Sequence, residues 1–192
     1  MKKTIVFFVL LFLSAGSRLA SQTLYVDAVN GNDHAKGTLS HPVASLEQAV
    51  ALAKRSAHHE PVTIKIAPGL YKLKRQLKIE PRNGPEDTAE YTFEAMIMPD
   101  DTSWKPAKMP VIQSWSTNNT RTFFSHAVGF EILRDNVSIK GLKFVGNADP
   151  AVDYYYPIER DSNKLKNLDI SQCYFIGDRN SAPIQGAVYT QG

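Results

Sequence analysis

An all-β chain wound into stacked coils, closed at its N-terminal end by one short α-helix, is the fold class this sequence predicts. Two observations carry that expectation. Residues 24–71 read as a strand, a turn-rich connection, an amphipathic helix, a second strand and a tight turn. Farther along, residues 137–147 align without a gap over residues 168–178 at an offset of 31 residues. A repeat of that length built on short strands marks a solenoid, in which each unit buries its apolar face only by stacking on the next.

The first residues belong to targeting. Lys2 and Lys3 precede an apolar run over residues 4–13 that is too short to span a bilayer, and small residues follow at 14–17, Ala20 and Ser21. Residues 1–21 are therefore expected to be a secretory signal peptide, and the mature protein to be secreted, whether extracellular, periplasmic or on the cell surface. No membrane span is expected once that segment is removed. Lys2, Lys3 and Arg18 leave with it and no acid does, so 19 of the 22 basic side chains remain against 19 acidic ones. The whole chain carries +3, yet the mature chain is formally neutral, so net charge predicts no nucleic acid and no anionic membrane as partner. Lys65, Lys72, Lys74, Arg75 and Lys78 do fall close together. They fit solvated positions on early coils or an anion-binding stripe.

Roughly 170 mature residues suffice for one domain with its own core, expected over 22–192 with a cap at 22–61 and coils over 62–192. In the cap, Tyr25 and Val26 favour extended backbone, and Asn30, Gly31, Asn32 and Asp33 have turn composition. Ser45 reads as a helix N-cap with Gln48 as its capping-box partner. Leu46, Ala49, Val50 and Ala53 share one helical face, and the helix is expected to end near Arg55, ahead of a polar run closed by Pro61. Val62, Ile64 and Ile66 then alternate with Thr63 and Lys65, a strand with one buried face, and Pro68 with Gly69 turns the chain out of it.

The phrases YVDAVNGNDHAKGTLSHPVASLEQAVALA (residues 25–53) and VTIKIAPGLY (residues 62–71) resemble the N-terminal part of the pectate-lyase-like right-handed parallel β-helix proteins. The resemblance implies a right-handed parallel β-helix whose capping helix shields the first coil. It also implies polysaccharide as the partner, because the family includes lyases of uronic-acid glycans, glycoside hydrolases and proteins with no assigned activity. Lyases of that kind neutralise a uronate carboxylate with calcium or basic residues and take the C5 proton with a Lys or Arg. That machinery comes from central coils, so no catalytic residue carries over to a position here. The expectation is a secreted protein that binds or degrades polysaccharide, the N-terminal part of a polysaccharide-lyase-like protein. The alternatives are a noncatalytic surface or adhesion module and a remnant without activity.

In the repeat, apolar positions coincide at Val137/Leu168, Ile139/Ile170, Leu142/Cys173, Phe144/Phe175 and Val145/Ile176. The lone cysteine, Cys173, therefore falls on a buried ladder position, and no intrachain disulfide can form. Residues 91–95 and 111–113 read as strands separated by loops, and residues 130–133 lead into the repeat. Residues 148–163 lack strand alternation and are expected to loop out of the stack. About four to five coils are expected. Gly186, Ala187, Val188 and Tyr189 read as the opening of another strand, so the sequence is expected to be truncated within a longer solenoid.

Candidate ligand residues follow from chemistry. Tyr154, Tyr155, Tyr156, Glu159 and Arg160, flanked by Asp153 and Asp161, combine rings that stack on sugars with groups that fix hydroxyls or uronates. One or two of these tyrosines serve equally well to pin the loop to the coil. Asp27, Asn32 and Asp33, with Asn30, offer the oxygens calcium prefers, although turn hydrogen bonds account for the same residues. His34, His41, His58, His59 and His126 form no metal-ligand spacing. Trp104 and Trp115 fit loop anchors or a sugar platform.

Overall fold

The computed structural model describes residues 21–56, 60–82, 84, 86–116, 126–160, 162, 164–177 and 182–190. The expected signal peptide lies outside them apart from its last residue, as do His58, His59 and Asp161. The chain runs β1 (Gln22–Val26), α1 (Leu46–Ala53), β2 (Val62–Ile66), β3 (Leu70–Leu73), β4 (Leu77–Ile79), β5 (Tyr91–Ala95), β6 (Val111–Ser114) and β7 (His126–Ile132). It continues through β8 (Val137–Lys140), β9 (Lys143–Val145), β10 (Tyr154–Arg160), β11 (Leu168–Ser171), β12 (Tyr174–Ile176) and β13 (Val188–Thr190).

These strands form three sheets, ordered β1-β2-β5-β8-β11, β3-β6-β9-β12 and β4-β7-β10-β13. Every pairing between strands is parallel. From β2 onward each circuit of the chain supplies one strand to each sheet in turn, so the described strands make four coils with β1 paired ahead of the first. This is a parallel β-helix. The offset repeat is a true stacking register, with Leu168 over Val137, Ile170 over Ile139 and Phe175 over Phe144.

Residues paired across parallel strands share a face, so alternation inside one strand becomes a column through the stack. Ile64, Phe93, Ile139 and Ile170 form one inward column, and Tyr71, Ile112, Phe144 and Phe175 another. Phe93, Phe130, Phe144 and Phe175 follow one another through the interior, with successive centroids 5.4, 5.4 and 5.2 Å apart. Cys173 packs half-buried against this core, its Sγ 3.5 Å from the Ile139 carbonyl, and burial pushes its thiol pKa up. It occupies the ladder position that the repeat assigns to it.

The cap forms as its sequence implies. Ser45 Oγ accepts from the Gln48 N–H at 3.2 Å, and α1 ends at Ala53, within two residues of expectation. Its buried face is Leu46, Ala49, Val50 and Ala53. Asp33 secures the helix start by accepting from the N–H groups of Ala44 and Ser45, both at 2.9 Å, and from Ser45 Oγ at 2.8 Å.

One stretch departs from expectation. Residues 154–160 do not loop out; they form β10, paired with β7 on one side and β13 on the other. Pro157 hides the strand in sequence because it cannot donate to the ladder. The structure places it opposite Gly129, where an added Cβ would collide with the Pro157 carbonyl and the Tyr155 hydroxyl. Glycine at that position admits the irregular rung.

Corners turn by left-handed residues and a buried polar staple. Gly141 and Gln172, at φ 71° and 54°, carry the chain from the first sheet to the second, while Asn136 and Asn167, at 57° and 56°, turn it from the third back to the first. Asparagine tolerates this conformation, and Asn167 Nδ2 donates to Asn136 Oδ1 one coil earlier at 2.7 Å. Nearby, Asp87 Oδ2 accepts from Arg82 Nε at 2.9 Å and Arg134 Nη1 at 2.8 Å. All three side chains are wholly buried. The remaining guanidinium donors reach Ser56 Oγ and the carbonyls of Glu60, Ala89 and Asp135, and the Tyr91 ring lies 5.9 and 5.2 Å from the two cations. Burial alone would raise the Asp87 carboxyl, but hydrogen bonds from Arg82 and the charges of Arg134 and Arg82 outweigh it, bringing its pKa to about 2.

Two predictions follow from the staple and the cap. Asp87 is depressed in the folded state, so its contribution is full above about pH 4 and is lost as pH falls toward about 2. Urea unfolding followed across that window should show the midpoint dropping. Asp87→Asn should remove most of that slope and cost about 3–5 kcal/mol at neutral pH, because it leaves two buried guanidiniums without a counter-charge. Asp33→Ala, measured the same way, should cost about 1–2 kcal/mol through loss of the helix-start bonds.

Candidate functional site: the outer face of the third sheet

Three-residue phrases with a charged middle residue build this face. Leu77-Lys78-Ile79, Phe130-Glu131-Ile132 and Ile158-Glu159-Arg160 pair in register, so Lys78, Glu131 and Glu159 stand in one outward column that Tyr189 extends. Glu131 Oε2 accepts from Gln76 Nε2 at 2.7 Å and lies 3.5 Å from Lys78 Nζ. Glu159 is 6% exposed, tucked directly beside Glu131 on the neighbouring strand.

An aromatic cluster lies alongside. Tyr154 stacks on His126 at 5.5 Å with rings 2° from parallel, and Tyr156 meets both edge-on at 5.7 and 5.8 Å. Tyr189 stacks on Tyr156 at 4.7 Å and remains 39% exposed. Burial first, then the neighbouring Tyr154, Tyr189 and Glu159, raise the Tyr156 phenol. The cluster thus presents ring faces and phenolic hydroxyls beside the partly exposed Glu131, with Glu159 buried next to it.

Of the five residues proposed from sequence as sugar ligands, Tyr154, Tyr156 and Glu159 come together here. Tyr155 does not. It points inward, 0% exposed, into a small second core with Ala127, Val152 and Ala182, and its hydroxyl has no hydrogen-bond partner. Arg160 is in register with buried Ile132 and takes the inward phase of the strand, its Nε buried without a partner. Glu131 and Tyr189 escaped sequence reasoning, although the strand register places them in phase with Glu159.

The cap oxygens lie apart and are used in turns. Asp27 Oδ1 accepts from the N–H groups of Val29 and Asn30 at 2.9 and 3.0 Å, and Asn32 Oδ1 accepts from the His34 N–H at 2.9 Å. Asp33 holds the helix start as described. Among the described residues no three His, Cys, Asp or Glu side chains converge as a metal site, and no helix is long and apolar enough to cross a membrane. A polar cleft of about 450 Å³ lies at the corner between the third and first sheets. There Glu90 Oε1 accepts from Thr92 Oγ1 and Ser138 Oγ at 3.2 and 3.3 Å. Trp104 buries its Nε1 without a partner, whereas Trp115 is 45% exposed.

The three parallel sheets and the helical cap define the class as a parallel β-helix protein. No family model matches the chain, and no curated protein matches it. Among solved structures a rhamnogalacturonan lyase aligns with it at 16% identity and a TM-score of 0.47, over 82% of this chain and 38% of that one. This chain thus spans well under half the length of that protein.

The inward placement of Tyr155 makes a sharp prediction. Tyr155→Phe should leave stability unchanged or slightly raised, since it deletes only an unpaired buried hydroxyl, while Tyr155→Ala should cost about 3–5 kcal/mol by opening a cavity. Thermal unfolding of the pair checks this; an outward tyrosine would make both changes nearly neutral.

Proposed function

We propose that this chain is a secreted glycan-binding β-helix protein that seats a polysaccharide on the outer face of its third sheet. The observation that carries the reading is the joined cluster of Tyr154, Tyr156 and Tyr189 beside the in-register carboxylates Glu131 and Glu159. Tyrosine ring faces pack on the C–H faces of sugar rings, and phenols and carboxylates bond their hydroxyls. A flat sheet that repeats its columns from coil to coil also suits an extended polymer better than a small ligand. Export rests on the signal-like residues 1–21.

The electrostatics favour hydroxyl-rich over uronate units on this face. Lys78 is the cation in the outward column and it already faces Glu131, while Arg160 takes the inward phase. β-Elimination needs a base at the C5 proton and positive charge at the uronate carboxylate. The described part of the face lacks that pairing, so binding without cleavage is the reading for this chain.

Affinity electrophoresis with xylan, galactan and methyl-esterified pectin tests it. The wild type should be retarded by at least one of them, and a Tyr156→Ala, Tyr189→Ala double variant should lose about tenfold in affinity, at roughly 0.5–1.5 kcal/mol per stacked ring. Unchanged retardation in the double variant sinks the proposal. Incubation with polygalacturonate, alginate or chondroitin should yield no ultraviolet-absorbing unsaturated product.

A further inference from the structure

The lysines that cluster in sequence separate onto three faces once the chain is coiled. Lys65 faces outward from the first sheet and pairs with Glu94, and Lys78 lies on the third sheet against Glu131. Lys72 alone of these goes to the outer face of the second sheet, where Lys143 stands two strands away. Neither makes an ion pair among the described residues.

No acid occupies an outward position on the four strands of that sheet. Asp100 and Asp101 belong to the connection before β6, and Glu47 of the cap helix borders the face at a cleft it shares with Leu70 and Lys72. Several of the other outward side chains are apolar and exposed. Leu70 is 46% exposed, Tyr174 48% and Ile176 43%, and Trp115 at the edge of the sheet is 45% exposed. Trp115 is held in place: its Nε1 donates to Gln113 Oε1 at 3.0 Å, and Lys72 Nζ lies 5.1 Å from its ring centroid.

Exposed aliphatics, a tryptophan and a tyrosine with polar tips, and unpaired lysines on one flat surface are the composition of a membrane interface. The apolar groups enter the headgroup boundary, Trp and Tyr reside at its level, and lysines meet anionic lipid. An extended sugar polymer would match the rings but leave Leu70 and Ile176 without a counterpart. We propose that the outer face of the second sheet docks the protein on an anionic lipid surface, leaving the aromatic face of the third sheet open. The whole-chain charge balance conceals this because the strands of the second sheet carry lysines and no acid.

Vesicles of phosphatidylglycerol mixed with phosphatidylcholine, against phosphatidylcholine alone, test the proposal with the mature chain. The anionic vesicles should co-sediment the protein and shift its tryptophan emission to the blue; Trp115→Phe should abolish the shift, leaving Trp104 as a silent control. Lys72→Gln with Lys143→Gln should weaken vesicle binding by about tenfold or more, at roughly 1 kcal/mol per lysine, with an unchanged circular dichroism spectrum. Tyr156→Ala should leave vesicle binding intact, which separates this face from the glycan site. Absence of vesicle binding, binding indifferent to lipid charge, or unaltered binding by the lysine variant overturns the proposal. So does an equal blue shift with soluble polygalacturonate that the lysine variant loses, which would assign the face to an acidic glycan.

Discussion

In-register stacking of parallel strands is the constraint from which the rest of this molecule follows. A strand here finds its hydrogen-bond partner in the equivalent strand of the neighbouring coil, so a residue's environment is set by the residue above it. A one-residue slip of any one of these strands would turn its member of the column Ile64, Phe93, Ile139 and Ile170 out to water. The continuous run of phenylalanines through the interior is the packing expression of that register. The cap answers the one weakness of the design: β1 and α1 cover the first coil, whose strand edge and apolar rim would otherwise meet solvent.

Corners impose a second demand. Connections between the third and first sheets must turn sharply while their backbone polar groups stay satisfied. The structure meets it with side chains that act across coils: Asn167 bonds Asn136, Asn136 bonds the Thr88 carbonyl, and Asp87 gathers Arg82 and Arg134. Two cations against one carboxylate would be unfavourable in a dry interior. Backbone carbonyls supply the missing negative ends, and the Tyr91 ring faces both cations. The arrangement fixes the orientation of successive connections more than it adds stability, since well-packed apolar side chains would serve as well energetically.

How much of this was legible depended on spacing. The cap could be read because its signals are local: Ser45 with Gln48, apolar residues at helical spacing, and alternation in Val62–Ile66. The last two coils could be read because their connections keep one offset, so Val137–Lys140 and Leu168–Ser171 overlie each other on the page as in space. Coils with longer connections hide the same register. The outward column Lys78, Glu131, Glu159 and Tyr189 is carried by three-residue phrases at unequal spacings, too short to align without knowing the loops. Pro157 and three adjacent tyrosines masked β10, and only Gly129, far away in sequence, explains how that strand is accommodated. For the site, the chemistry of residues 154–160 was visible but not which side chains face out. The irregular rung at Pro157 interrupts the alternation, so Tyr154 and Tyr156 meet solvent and Tyr155 fills a core, while Ile158 of the same parity as Tyr154 lies in the main core.

The same register separates charge. Outward residues align in columns just as inward ones do, so each face acquires a character no linear window shows. Lys65 over Glu94 and Lys140 beside Asp169 make the first sheet self-neutralising. The third gathers Glu131 and Glu159 with tyrosines, and the second keeps Lys72 and Lys143 with exposed apolar side chains. A chain of nearly balanced charge can therefore present a self-compensated face, an acidic aromatic face and a cationic apolar face at once. Net charge describes the average of three surfaces of different character, and for a solenoid the column is the smaller unit from which recognition has to be argued.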